Sequence, residues 1–307
     1  MNKCLCCLKT TADGSNYHKS CLKKLFGSEK PPIIKFAGTD IVSEVSKNAG
    51  KMSISGVQIK ASVKLNNKSN FIEIVQFGGT HILKPEPLEY PELPKNENLF
   101  MNIAEVLGME VPPHGLFDMS DKKKCYIIKR FDRDSNGEKI HVEDMAQLLE
   151  MPPDSKYESS IEKAGKMIMK ISKRPFLDLI NFYERVIFCF LIGNGDMHLK
   201  NWSTISPEDG NIRLSPCYDL ISSKLYLPHE DESALTINGK GNNLKLSDFK
   251  ELANSLGIDG RAALNSLNKL GNKKEIILKM LDDELNPERT GKLKEIIADR
   301  YKKLFEV

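Results

Sequence analysis

Apolar positions along the chain change their period once. Between residues 33 and 130 they fall in short runs separated by turn residues, and 57–65, 71–77, 81–84 and 125–129 read as strands. Asn66-Asn67 and Gly78-Gly79 punctuate the first three. One helical stretch interrupts this region at 97–107, where Phe100, Ile103, Ala104 and Leu107 share a face and Gly108 supplies a C-terminal cap. After Phe131 the period becomes helical, over 142–150, 159–172 and 176–192. Residues 193–238 carry no regular period. Ser247 predicts the N-cap of a helix ending near Gly257, and three further helical stretches follow to the end of the chain. The pattern predicts an α+β protein with a β-rich lobe over 28–130 and a larger helical lobe over 131–307. A Cys-rich unit over 1–27 precedes them, set off by Pro31-Pro32. A cleft between two such lobes is the expected place for a nucleotide.

Composition narrows the class. The 307 residues are 40% hydrophobic and 28% charged, which suits a globular protein with a sizeable core. The net charge of +3, from 45 basic and 42 acidic residues, implies no dedicated nucleic-acid or membrane surface. The longest apolar run, 186–192, falls well short of the ~18 residues that span a bilayer. The N-terminus has no apolar leader, so the expected location is the cytoplasm unless another route exports the chain into a second cell.

Four of the seven cysteines fall in the first 21 residues. Cys4-x2-Cys7 followed by His18-x2-Cys21 offers three thiolates and an imidazole at spacings that suit tetrahedral zinc. Cys6 competes with Cys4 for one place in that set, and the spacing could persist without a metal.

The sharpest chemistry lies in Gly193-Asn194-Gly195-Asp196-Met197-His198-Leu199-Lys200-Asn201. Asp196 and Asn201 are five apart, the spacing of the carboxylate and metal-binding amide in kinase catalytic loops. The carboxylate must orient a substrate hydroxyl, and an amide oxygen one short loop away can hold Mg²⁺ against phosphates. Asp219, 18 residues beyond Asn201, fits a second metal-binding carboxylate. Lys84 ends a predicted strand and is the preferred phosphate-binding lysine, over Lys60; Glu97 opens the helix that could pair with it. Residues 50–56, ending at Gly56, could cradle phosphate through backbone N–H groups.

Taken together, these segments resemble the HipA family of bacterial toxin kinases, in the family's order from Gly50 to Asp219. Ser53-Ile54-Ser55-Gly56 resembles its serine-containing glycine loop, Ile82-Leu83-Lys84-Pro85 its ATP-lysine strand, and Asn96-Glu97 its N-lobe helix. Lys129-Arg130-Phe131-Asp132-Arg133 looks like the hinge, though Lys129 stands where an acidic residue is expected. Asn194-x-Asp196-x-His198-x-Lys200-Asn201 is the most specific match. The resemblance implies a two-lobed protein-kinase-like fold and transfer of the ATP γ-phosphate to a protein serine. Asp196 would be the base, Asn201 and Asp219 the Mg²⁺ ligands, and Lys84, Glu97, Gly56, Lys129, Phe131 and His198 the ATP-binding residues. It further implies autophosphorylation at Ser53 or Ser55, an aminoacyl-tRNA synthetase as substrate, an antitoxin partner, and a compact form without the additional N-terminal subdomain of longer relatives. Some HipA-like chains also resemble the Cys-rich start.

Bland alternatives accompany each residue. Asp196 could be a turn residue, Glu97 a carboxylate favoured by a helix N-terminus, Lys84 an exposed strand end, and His198 a loop brace. Two other functions remain: a small-molecule kinase with the same Asp–Asn–Asp geometry, and a catalytically silent binding protein.

Overall fold

The computed structural model describes residues 2–47, 59–134, 136–207 and 210–306. The chain divides into two units, Met1–Asn102 with Pro112–Lys139, and Ile103–Val111 with Ile140–Val307.

In the first unit, alternating small, β-branched and aromatic residues build strands β1 (Ala61–Asn66), β2 (Phe71–Ile74), β3 (His81–Pro85), β4 (His114–Asp118) and β5 (Lys124–Lys129). They form one antiparallel sheet in the order β2-β1-β3-β5-β4. Leu83 pairs with Ile127 and Lys84 with Tyr126, so successive residues of β3 and β5 serve opposite faces. Both faces are covered, because Cys125, Tyr126, Ile127 and Ile128 are all buried.

Helix α1 (Lys19–Phe26) lays Leu22, Leu25 and Phe26 on one face, against Val63, Leu83, Phe117 and Ile127. Cys4 and Cys6 belong to the same core, so the Cys-rich segment and the sheet share one interior. The segment also covers an open edge. Leu116 of edge strand β4 donates its N–H to Leu5 O at 3.0 Å, and its carbonyl accepts the Tyr17 hydroxyl at 2.9 Å. Helix α2 (Gly38–Lys47) adds Ile41 to the core, and helix α3 (Leu93–Val106) runs from the first unit into the second.

The second unit is built on helix α6 (Pro175–Ile192), which is buried over nearly its whole surface from Phe182 to Ile192. Its apolar run 186–192 belongs in an interior, and the buried Glu184 and Arg185 find partners there in Lys269 and Ser215 O. Helix α5 (Ile161–Ile171), helix α8 (Gly260–Gly271) and helix α10 (Pro287–Phe305) pack against it. Helices α7 (Leu246–Ser255) and α9 (Lys274–Met280) complete this layer. A small antiparallel sheet runs β6 (His141–Asp144), β7 (Ser203–Ser206), β8 (Arg213–Leu214). Among the described residues no helix is long and apolar enough to cross a membrane.

Two expected boundaries move. The stretch 142–150 is not one helix: Val142 pairs with Ile205 in β6, and helix α4 (Met145–Leu148) begins only afterwards. A capping box sets that start. Asp144 Oδ1 accepts the Gln147 N–H at 2.9 Å and Gln147 Oε1 accepts the Asp144 N–H at 3.0 Å. Ser247 is not an N-cap, because α7 starts one residue earlier and the Asp248 carboxylate takes the Lys245 N–H at 2.9 Å. The expected strand over 57–65 begins its ladder at Ala61, and strand β4 and helices α1 and α2 were not foreseen.

Candidate active site and cysteine centre

Helix α6 ends at Gly193, whose φ of +69° lets the chain reverse into the Asp196 loop. Hydrogen bonds then fix the loop from within. The Asp196 N–H donates to Asn194 Oδ1 at 3.2 Å, and the His198 N–H donates to Asp196 O at 2.8 Å. Asn201 Nδ2 donates to the same carbonyl at 3.0 Å, which commits the amide nitrogen and leaves Oδ1 as the atom with lone pairs to offer. Trp202, edge-on to Phe182 of α6 at 4.7 Å, donates its indole N–H to Met197 O at 3.1 Å.

Asp219 is tied to this loop from both sides. Asn194 Nδ2 donates to Asp219 O at 3.4 Å. The neighbouring Tyr218 hydroxyl donates to Lys200 O at 3.1 Å and lies 3.0 Å from Ser203 Oγ. Asp219 itself holds a φ of +54°, a left-handed conformation that costs a non-glycine residue about 1–3 kcal/mol. Asp196, Asn201, His198 and Asp219 are therefore brought into one hydrogen-bonded group.

Three other residues complete it. Tyr157 donates its hydroxyl to Asp196 Oδ1 at 2.6 Å. Burial, then the bond to Asp196, pushes that phenol well above its ordinary value, so it stays a donor. Lys156 Nζ donates to His198 Nε2 at 3.0 Å, and burial depresses the imidazole, which accepts as a neutral ring. Glu230 closes a chain in which the Gly195 N–H donates to Ser223 Oγ at 2.8 Å and Ser223 donates to Glu230 Oε1 at 2.7 Å. Burial foremost, with the Asp196 charge, pushes Glu230 up to about 7. A Cβ at Gly195 would stand 2.4 Å from Asp231 O and 2.7 Å from the Glu230 carboxyl carbon, so only glycine fits. Tyr157, Lys156 and Glu230 reach the loop from other parts of the chain and carry no motif of their own. Tyr218 does sit beside Asp219 in the sequence.

In the first unit, Lys84 and Glu97 form a buried ion pair, with Nζ to Oε1 at 2.7 Å. Lys84 stands opposite Tyr126 in the sheet, and Glu97 of α3 meets its ammonium. Lys129 is exposed at the end of β5, Phe131 is half-buried, and Lys60 lies just before β1. Asp132 organises the expected hinge: Arg130 donates to its two oxygens at 2.8 and 2.6 Å, and Arg133 adds a bond at 2.8 Å. Burial works to raise that carboxyl, but the two guanidinium groups hold it below its ordinary value. Ser53, Ser55 and Gly56 lie outside the described residues.

The ligating atoms of Cys4, Cys7, His18 and Cys21 all lie within 4.8 Å of one another. Cys7 Sγ is 3.3 Å and Cys21 Sγ 4.0 Å from His18 Nδ1. His18 Nε2 meets Thr10 O at 3.1 Å, a bond that places the proton on Nε2 and turns Nδ1 to the sulfurs as a lone-pair donor. The backbone N–H of His18 donates to Cys4 Sγ at 3.2 Å. Cys6 is the bystander. It points at Gly115 of β4, where a Cβ would come 2.6 Å from its sulfur. Three sulfurs and one oriented imidazole nitrogen fit zinc.

The HipA-like C-terminal domain family matches residues 52–276. The chain belongs to this family. A curated relative from Sinorhizobium fredii, named "Putative kinase Y4dM", is 36% identical over 226 residues, 69% of this chain and 54% of its own. A second, the Haemophilus influenzae protein named "Putative kinase", is 31% identical over 206 residues, 64% of this chain and 60% of its own. The chain thus spans between half and three-fifths of the length of these relatives. Among solved structures, Shewanella oneidensis HipA, crystallised with HipB and its operator DNA, matches 83% of this chain and 66% of its own with a TM-score of 0.71 at 23% identity. The Helicobacter pylori proinflammatory kinase CtkA matches 84% of this chain and 92% of its own, with a TM-score of 0.59 at 16% identity. The chain shares their α+β, kinase-like fold. The HipA-like segment includes the Lys84–Glu97 pair and the whole Asp196 loop, whereas the Cys-rich centre precedes it.

Proposed function

We propose that this HipA-like chain is an ATP- and Mg²⁺-dependent kinase that phosphorylates a protein serine. The observation that carries the reading is the shared anchoring of Asp196, Asn201 and Asp219: one carbonyl orients the Asn201 amide, and Asn194 and Tyr218 hold Asp219 to the same loop. Asn201 and Asp219 would hold Mg²⁺, which neutralises charge on the phosphates. Tyr157 engages Asp196 Oδ1, so Oδ2 is the oxygen for the substrate hydroxyl. The hydroxyl oxygen bonds to the γ-phosphorus as the bond to the β–γ bridging oxygen breaks; its proton passes to Asp196 and ADP leaves. Lys84, held by Glu97, would meet the α- and β-phosphates. Gly56, Lys129, Phe131 and His198 would complete the nucleotide site.

Family resemblance supports the finer reading of a toxin. Its substrate would be an aminoacyl-tRNA synthetase, its partner an antitoxin, and its off-switch phosphorylation of Ser53 or Ser55. Shewanella HipA was crystallised with HipB and DNA, which favours a protein partner of that kind here. A phosphate on the serine loop would bring about −1.5 to −2 charges to a segment that must approach ATP. The Cys4, Cys7, His18 and Cys21 centre would hold zinc.

Intact mass and phosphopeptide mapping after incubation with ATP and Mg²⁺ test this. Wild type should gain phosphate on Ser53 or Ser55, and Asp196→Asn should be slower by about 10²–10⁴-fold. Wild type that enters unmodified and gains no phosphate on itself or on added synthetases would overturn the protein-kinase reading.

A further inference from the structure

The turn between Cys4 and Cys7 does more than gather ligands. Its two intervening carbonyls meet the helix that carries Glu97. Leu5 O accepts from Asn98 Nδ2 at 3.4 Å as well as from the Leu116 N–H at 3.0 Å. Cys6 O accepts from Asn102 Nδ2 at 2.8 Å. Asn98 and Asn102 lie one turn apart on one face of α3, and Asn102 Nδ2 also meets Asn98 O at 2.8 Å. Both side chains are buried, with 1% and 2% exposure, so these bonds are not exchanged for water. Glu97, the residue before Asn98, is the one that grips Lys84.

The other two ligands stand at the start of α1, His18 as its N-cap and Cys21 in its first turn. A metal held by all four would therefore join the 4–7 turn to a helix that is itself packed into the sheet through Leu22, Leu25 and Phe26. Tetrahedral zinc fixes sulfur and nitrogen positions through bonds of about 2.0–2.3 Å. Unligated thiols offer only weak S–H donors. With metal the Leu5 and Cys6 carbonyls have fixed places; without it the turn can drift, and α3 with it.

We propose that the Cys4, Cys7, His18 and Cys21 metal centre is a clamp on α3, whose occupancy holds Glu97 against Lys84 and so sets the affinity for nucleotide. The last step rests on the reading of Lys84 as the nucleotide lysine. The clamp on the helix does not.

The full chain purified with zinc should carry one zinc per chain, and replacing zinc with Co²⁺ should give the absorption of thiolate-bound cobalt. Stripping the metal with a chelator under reducing conditions should speed hydrogen exchange across 97–102 and weaken binding of a fluorescent ATP analogue by tenfold or more. Restoring zinc should reverse both. Asn102→Ala should keep its zinc yet bind the analogue as weakly as the stripped wild type; Asn98→Ala, which loses a longer bond, should fall between. A chain that takes up no zinc with its four ligands intact overturns the proposal. So does exchange across 97–102 that ignores the metal. If the zinc-loaded chain never binds the analogue while exchange still answers to zinc, the clamp stands and the nucleotide role of Lys84 falls.

Discussion

At the scale of single residues, the Asp196 loop depends on a carboxyl group that no motif announces. Glu230 accepts from Ser223, which accepts from the Gly195 N–H, so one side chain braces the loop next to Asp196. Its value near 7 lies above the ordinary 4.5, which means the folded protein favours the protonated form. That contribution is fully present below about 4.5 and is lost as pH rises through 7. The thermal midpoint of wild type should therefore fall, relative to that of Glu230→Gln, between pH 5 and 8. Parallel curves for the two proteins over this range would show that the group does not titrate there. Glu230 was illegible beforehand because Glu230-Asp231-Glu232 looks like a solvated acidic run. Only the missing Cβ at Gly195 admits it to the loop.

At the scale of elements, α1 is pinned to the sheet by His81 of β3, whose Nε2 donates to Leu25 O at 2.8 Å. Burial foremost lowers that imidazole to about 4, so it stays neutral in the fold. Its contribution is whole above the ordinary value of 6.5 and is lost as pH falls toward 4, a difference of about 3 kcal/mol for so buried a ring. Urea unfolding should show about 2 kcal/mol of this loss between pH 7 and pH 5, and His81→Gln should reduce the difference; an equal pH response in the variant would refute it. Helix α6 was legible from its helical period over 176–192 and from the unbroken apolar run 186–192, which Gly193 ends. The stretch 142–150 misled because a capping box sits in its middle: Asp144 begins a helix while Val142 has already joined β7. Strand β4 carries Gly115 and follows Pro112-Pro113, so nothing local favours it. Its partners, β5 on one edge and the Cys-rich turn on the other, are set by the fold.

At the scale of the molecule, the first unit is discontinuous. The chain leaves it within α3 at Asn102 and returns at Pro112. Residues 103–111 find their partners in the second unit. The Cys217 N–H donates to Glu110 O at 2.8 Å, and Arg213 bridges Glu110 at 2.8 Å. Ile103 and Leu107 are buried in the whole chain. A fragment ending at Lys139 should therefore self-associate on size-exclusion chromatography, and replacing Ile103 and Leu107 with Gln should return it to a monomer. A monomeric unmodified fragment would show that 103–111 needs no partner. The candidate site was legible where its residues are close in sequence, as from Asn194 to Asn201. It was dark where they are brought in from afar, as with Lys156 and Tyr157.

The same interruption has a consequence for synthesis on the ribosome. Glu110 emerges 103 residues before Arg213, a wait of roughly 5–20 s at ordinary rates of translation. Through that interval the sheet with Lys84 can form, but Glu110 still lacks Arg213 and Cys217, and Asp196 and Asp219 have not both left the tunnel. Birth order alone keeps a nascent chain from assembling the Asp196–Asp219 group before its last third is made.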